Sequence, residues 1–197
     1  MSVAAIMAAG FIGTMIGAAA GYYGGKVDNV IMRCMDIILS LPYMLLAIAI
    51  VAALGPGLVN VLISIAIGYV PEFARITRAS VMTIREREFI EAARAVGASD
   101  KKIIFSQMLP NITSPLIVEV TMAIAGAILS IAGLSFLGLG IQQPLPEWGA
   151  MLSTGRRYIR TEPYLTVIPG LAIMVVVYAL NVVGDGLRDC LDPRLKK

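Results

Sequence analysis

Few side chains in this sequence could do chemistry, and most of them gather in one polar stretch. Histidine is absent from the 197 residues, which removes the commonest general base and the commonest metal ligand together. Zinc chemistry and a Ser-His-Asp triad are therefore excluded. Cys34 and Cys190 lie far apart without CxxC spacing, in segments placed below on the cytoplasmic side, where a disulfide is not expected. Gly21 to Lys26 has the look of a phosphate loop, yet Ala20 stands where the first glycine should be, and Val27 replaces the Ser or Thr that would hold magnesium. No ATP, metal or other cofactor is expected on this chain, and it is not expected to be an enzyme. Glu119 is the one charge inside the apolar run of a predicted span. An ionisable group there is a functional candidate, or, lying four residues past Pro115, it snorkels to the nearby surface; both readings stand. The remaining candidates fall between Glu72 and Pro115.

What positions them is a membrane scaffold. Hydrophobic residues make up 58% of the chain and charged residues 15%, whereas a soluble domain has about a quarter of its residues charged. Residues 1–25, 37–71, 120–146 and 163–184 contain no Asp, Glu, Lys or Arg, and runs of about 18 or more such residues are transmembrane candidates. The first span is expected over 3–22. A cleaved signal peptide would want a basic start, and nothing basic precedes Lys26. Gly10, Gly13, Gly17 and Gly21 recur at three- and four-residue spacing, along one helix face that another helix can approach closely. The long run from Ile37 to Pro71 is broken by Leu54, Gly55, Pro56 and Gly57. It predicts a hairpin with arms over 35–53 and 58–83, the second continuing past Glu72 into a polar environment. Further spans are expected over 116–137 and 164–184, giving an all-α integral membrane protein of about five transmembrane helices.

The net charge of +3 leaves no electrostatic footprint for nucleic acid, but its distribution sets orientation. Segments 24–36, 72–115 and 185–197 hold two, seven and four Lys or Arg, the turn at 54–57 none, and 138–163 three. Short cytoplasmic loops are enriched in basic residues, so the coupling loop 84–115 and the tail 185–197 are expected inside, and segment 138–163 outside. An odd number of spans starting outside suggests a further span upstream.

Within the polar stretch, Glu88 to Val96 reads as a short helix with Phe89, Ala92, Ala93 and Val96 on one face. Gly97 stands where a helix-ending glycine would. Ser99 or Asp100 can cap a second helix, carrying Ile103, Ile104, Phe105, Met108 and Leu109 and stopping at Pro110. Glu91 can pair with Arg94 at i, i+3, cap local backbone amides, or face a partner. By periodicity alone this segment is equally an amphipathic linker at the lipid headgroups.

The wording of the segment adds to that. Glu91, Ala92 and Ala93, then Gly97 after three residues, then Leu109 and Pro110, resemble the EAA loop of binding-protein-dependent ABC importer permeases. Gln107 stands where the pattern has Ile. Ser135 to Gly140 with Pro144 and Trp148 to Met151, then Pro169 to Ala172, and Asn181 to Pro193, resemble the dipeptide, oligopeptide and nickel class of these permeases, most of all the C-type subunit. Gly24, Gly25, Asp28 and the turn at 54–57 extend the likeness to nearly the whole chain.

The resemblance implies a six-span fold of which this chain carries the second to sixth spans, in a bacterial or archaeal cytoplasmic membrane. It implies a homologous second permease, two cytoplasmic ABC ATPase subunits that bind ATP and magnesium, and an extracytoplasmic substrate-binding protein. Glu91, Ala92, Ala93, Gly97, Leu109 and Pro110 would form the ATPase-coupling loop. The substrate would be a di- or oligopeptide, with nickel chelates or glutathione as alternatives; a stand-alone secondary transporter is the other class. The glycine face of the first span is expected to require the second permease against it. The charge count makes a prediction of its own: single cysteines at positions 148 and 196 should react with impermeant reagents from opposite sides of the membrane, and labelling of both from one side would overturn the orientation.

Overall fold

The structure is a computed structural model and describes residues 1–141 and 144–191. Asp192, Pro193 and the rest of the tail lie outside them. Nine α-helices and short π and 3-10 turns account for the elements described: α1 Ser2–Tyr23, α2 Gly25–Leu39, α3 Tyr43–Leu54, α4 Leu58–Arg85, α5 Glu88–Ala95, α6 Asp100–Lys102, α7 Thr113–Phe136, α8 Trp148–Gly155 and α9 Tyr164–Leu191. No strand occurs among the described residues. Three single helices (α1, α4 and α9) and the continuous stretch from Asp100 to Phe136 are each long and apolar enough to cross a membrane; α2 and α3, bent by 83° between them, together make a fifth candidate.

The centre of the bundle is the contact of α1 with α4. A Cβ placed on Gly13 would come within 2.6 Å of the Val70 carbonyl oxygen and of the Phe73 Cβ, and one on Gly21 within 2.9 Å of the Arg78 carbonyl oxygen. One on Gly17 would run into the Ala74 carbonyl. Only glycine lets these backbones approach so closely, which is how apolar helices gain packing energy where lipid supplies no hydrophobic drive. This corrects an expectation drawn from the sequence: the glycine face is covered by a helix of the same chain, not left for a second permease. Phe73, fully buried, fills the space beside Gly10, whose added Cβ would meet its ring at 3.5 Å.

The first arm expected over 35–53 is two helices. Pro42 has no N–H to continue the ladder and pushes its predecessor out of helical geometry, so the chain turns at Ser40 to Pro42, where the Ser40 hydroxyl donates to the Ile37 carbonyl at 2.7 Å. The tight turn into α4 uses positive φ at Gly55 (90°) and Gly57 (148°). Asn60 Nδ2 donates to the Leu54 and Gly55 carbonyls, both at 2.9 Å, and so satisfies acceptors that α3 leaves open at its end. Pro71 and Pro169 sit inside α4 and α9 without ending them, as membrane helices tolerate when neighbours pack around the gap.

The segment 138–163 is not all loop. Glu147 caps α8, its carboxylate accepting from the Gly149 and Ala150 amides at 2.9 and 2.7 Å, and Gly149 lies against the Ala132 backbone of α7. A cavity at this end is lined by Met1, Ser2, Pro146 and Trp148, whereas Asn111, Ser114 and Arg188 share a cavity at the opposite end. The start of α1 and the start of α8 therefore lie at one end of the bundle, and the end of α9 at the other. Packing generates a stability prediction. Gly17→Leu should destabilise the chain by about 3 kcal/mol or more, the upper range for overpacking, because the clash is with backbone. Gly186→Ala, with open space around its Cβ, should leave the detergent-solubilised melting temperature unchanged or slightly raised.

Candidate functional site

The polar stretch folds as an anchored helix, a glycine bend and a widened helical passage into the membrane. In α5, Glu88 and Glu91 occupy the first turn and Arg94 the last, each charge matched to the helix dipole. The helix is held by Ile90, which is fully buried against Tyr22, Val81, Ile103, Met108 and Ile112, with Ala93 and Ala98 packed alongside. The apolar stripe read from the sequence is not the face that packs on the bundle: Phe89, Ala92 and Val96 point outward, and Val96 is 84% exposed. Ile90 lay outside the expected stripe because eight residues give two possible apolar faces, and only the packing of α4 and the passage into α7 selects one.

Gly97 ends the helix with φ 77°. Its N–H donates to the Arg94 carbonyl at 2.9 Å and the Ala98 N–H to the Ala93 carbonyl at 3.0 Å, the two bonds that close a Schellman C-cap. Ser99, rather than Asp100, caps the next helix, its Oγ accepting from the Lys102 amide at 3.4 Å. That helix does not stop at Pro110. After α6 the ladder widens to a π-helix over Ile103–Met108, tightens to a 3-10 turn over Leu109–Ile112 and runs on into α7. A proline removes one N–H and crowds the carbonyl of the preceding turn; the wider turn before it gives that ring room. Asn111 Nδ2 donates to the Gln107 carbonyl at 2.6 Å, and the Thr113 hydroxyl to the Pro110 carbonyl at 3.0 Å, so side chains take up acceptors around the break. Leu109 packs at the edge of the Ile90 cluster, while Pro110 is exposed.

Glu91 is exposed. The ion pairs among the described residues are Arg75–Asp36 and Arg78–Asp28, so Glu91 is not paired with Arg94, whose guanidinium instead lies over the ring of Tyr22. Glu119 is half-buried on α7 and lines the cavity with Asn111, Ser114 and Arg188. Glu72 lies near the middle of α4 and is exposed, so α4 carries a second carboxylate just past the end of the uncharged run 37–71. No group of three or more His, Cys, Asp or Glu positioned to hold a metal occurs among the described residues.

This sequence matches, over residues 13–197, the family described as binding-protein-dependent transport system inner membrane component. The chain belongs to that family. Among similar proteins, the dipeptide transport system permease protein of Alkalihalophilus pseudofirmus is 52% identical over 98% of this chain and 63% of its own length. The di/tripeptide transport system permease protein of Pseudomonas aeruginosa is 50% identical over 93% and 61%. The glutathione transport system permease protein of Pectobacterium atrosepticum is 46% identical over 94% and 62%. The chain thus spans a little over three fifths of the length of these relatives. The solved inward-facing MetNI methionine ABC transporter includes a chain with TM-score 0.71 and 21% identity, covering 97% of this chain and 93% of that one, so the two share a fold. This inner-membrane component is therefore a multi-pass helical protein, with its polar loop at the end of the bundle opposite Trp148.

The bend supplies a test. No atom lies within 4 Å of a Cβ added to Gly97, so substitution there costs backbone strain alone. Gly97→Val should cost about 1–3 kcal/mol and Gly97→Asn clearly less, because Asn tolerates the left-handed region. Faster amide exchange across residues 88–103 in the Val variant, with little change in the Asn variant, is the expected result.

Proposed function

We propose that this chain is one of two permease subunits of an ATP-driven importer of short peptides. With a homologous second permease it forms the translocation path. It receives substrate from an extracytoplasmic binding protein, and two cytoplasmic ABC ATPase subunits, which hold ATP and magnesium, drive it through the loop carrying Glu91, Ala92, Ala93, Gly97, Leu109 and Pro110. The loop and the end of α9 face the cytoplasm, as the surplus of basic residues in these segments supports. The permease itself is non-catalytic. Relatives named for dipeptides, di/tripeptides and glutathione support one substrate class, since glutathione is itself a tripeptide.

The observation that carries the coupling role is the two-sided build of α5. Its inner side is fixed to the bundle by Ile90, while Phe89, Ala92 and Val96 remain outside. An exposed apolar helix face with a small residue at its centre is what a groove on a partner needs in order to close over it. A helix anchored on its other side then passes movement on as a lever. An amphipathic linker at the headgroups would need no rigid anchor.

Ala92→Arg places a long charged side chain on the exposed face without touching the core. In the assembled importer it should weaken retention of the ATPases by roughly thirtyfold or more, the scale of an interface hot spot, and uptake of dipeptide should fall with it. Leu145→Arg, at the opposite end, should change neither. Wild-type retention and uptake in the Ala92 variant would reduce the loop to a linker.

A further inference from the structure

Both arms of the loop converge on one side chain of α1. Tyr22, the last residue but one of that helix, is 7% exposed. Its hydroxyl donates to Asp100 Oδ1 at 2.7 Å, and Asp100 opens α6 just beyond the Gly97 bend. From the other side of the bend, the Arg94 guanidinium of α5 lies 5.4 Å from the centroid of the same ring, within cation–π range. Ile90 and Ile103, one on each arm, pack in the cluster that contains Tyr22. The backbone at this point is also held: Arg85 Nη1 donates to the Gly21 and Tyr22 carbonyls at 3.4 and 3.3 Å, so the open acceptors at the end of α1 are tied to the end of α4. The residue before Tyr22, Gly21, rests on the α4 backbone.

We propose that Tyr22 is the positioning residue through which movement of the loop passes into the membrane-spanning pair α1 and α4. This rests on the coupling role assigned above to the loop. Apolar contact alone lets the loop slide over the bundle, whereas the part-buried hydrogen bond from the buried phenol to Asp100 is directional and fixes one point of contact. The phenol gives the loop a fixed point on α1, gripped before the bend by Arg94 and after it by Asp100. Because α1 cannot move along α4 without a clash of backbones, displacement at Tyr22 is delivered to both helices together.

The test is hydrogen–deuterium exchange on the whole importer, ATPases included, with and without ATP plus vanadate. In wild type, closure of the ATPases should alter exchange both in the loop, residues 88–102, and in the last turns of α1, residues 16–24. Tyr22→Phe keeps the ring, its packing and the Arg94 contact, so the fold and the loop response should persist. The response of α1 should shrink by roughly three- to tenfold, the worth of one hydrogen bond. Asp100→Ala should act alike, and the double variant should be no worse than either single one, the signature of a shared interaction. An undiminished α1 response in Tyr22→Phe, additive effects in the double variant, or no α1 response in wild type while the loop responds would each overturn the proposal and leave the loop's coupling role standing. A loop that does not respond in wild type would overturn that role and this one together.

Discussion

The contact of α1 with α4 runs through Gly13, Gly17 and Gly21, where carbonyl oxygens and Cβ atoms of α4 occupy the space that side chains would take. Inside a bilayer two helices gain little by hiding apolar surface from each other, because lipid tails are as apolar as leucine. What they gain is contact area, and that requires small residues in register. The register fixes where α1 ends relative to α4. It sets Tyr22 beside Val81 and brings Arg85 to the terminal carbonyls of α1. The socket for the loop is built from these groups.

A second constraint is that backbone polar groups need partners wherever the helical ladder is interrupted. The interruptions here are each repaired locally. Asn60 closes the end of α3, Ser40 the bend before it, and Asn111 and Thr113 the passage around Pro110. The π-helical stretch before Pro110 places Ile103, Ile104 and Met108 all inward, so the widening that relieves the proline also builds the floor on which α5 sits.

Charge is distributed to match. Asp28, 8% exposed, is forked by the guanidinium of Arg78, which ties α2 to α4 at the loop end of the bundle and leaves neither charge alone. A buried unpaired charge is strongly destabilising, and a bidentate arginine is the usual remedy. Glu72 and Glu119 are different in kind. They lie on α4 and α7 outside the two ion pairs among the described residues, and Glu119 lines the cavity shared by Asn111, Ser114 and Arg188.

Several features were legible in the sequence because they depend on local pattern alone. Uncharged runs marked the long helices, since a helix is the form in which a single segment satisfies its own backbone in lipid. The basic residues of the loop and the glycine after Val96 marked the polar end and the bend, where left-handed backbone favours glycine. The order of the motifs gave the family. Other features were decided only by the tertiary structure. Periodicity could say that Gly10 to Gly21 form a close-packing face, but the partner, α4, is set by how the chain folds back on itself. In α5 and its C-cap the stripe of Phe89, Ala92 and Val96 and the single Ile90 are both apolar, and only contact with the bundle decided that Ile90 goes in. Pro110 carries a local rule for ending a helix, and neighbours with Asn111 and Thr113 at hand overrode it. Tyr22 and Asp100 are 78 positions apart, and no pattern in the sequence joins them; the glycine contact brings the end of α1 down to the loop, and the hydrogen bond follows from that.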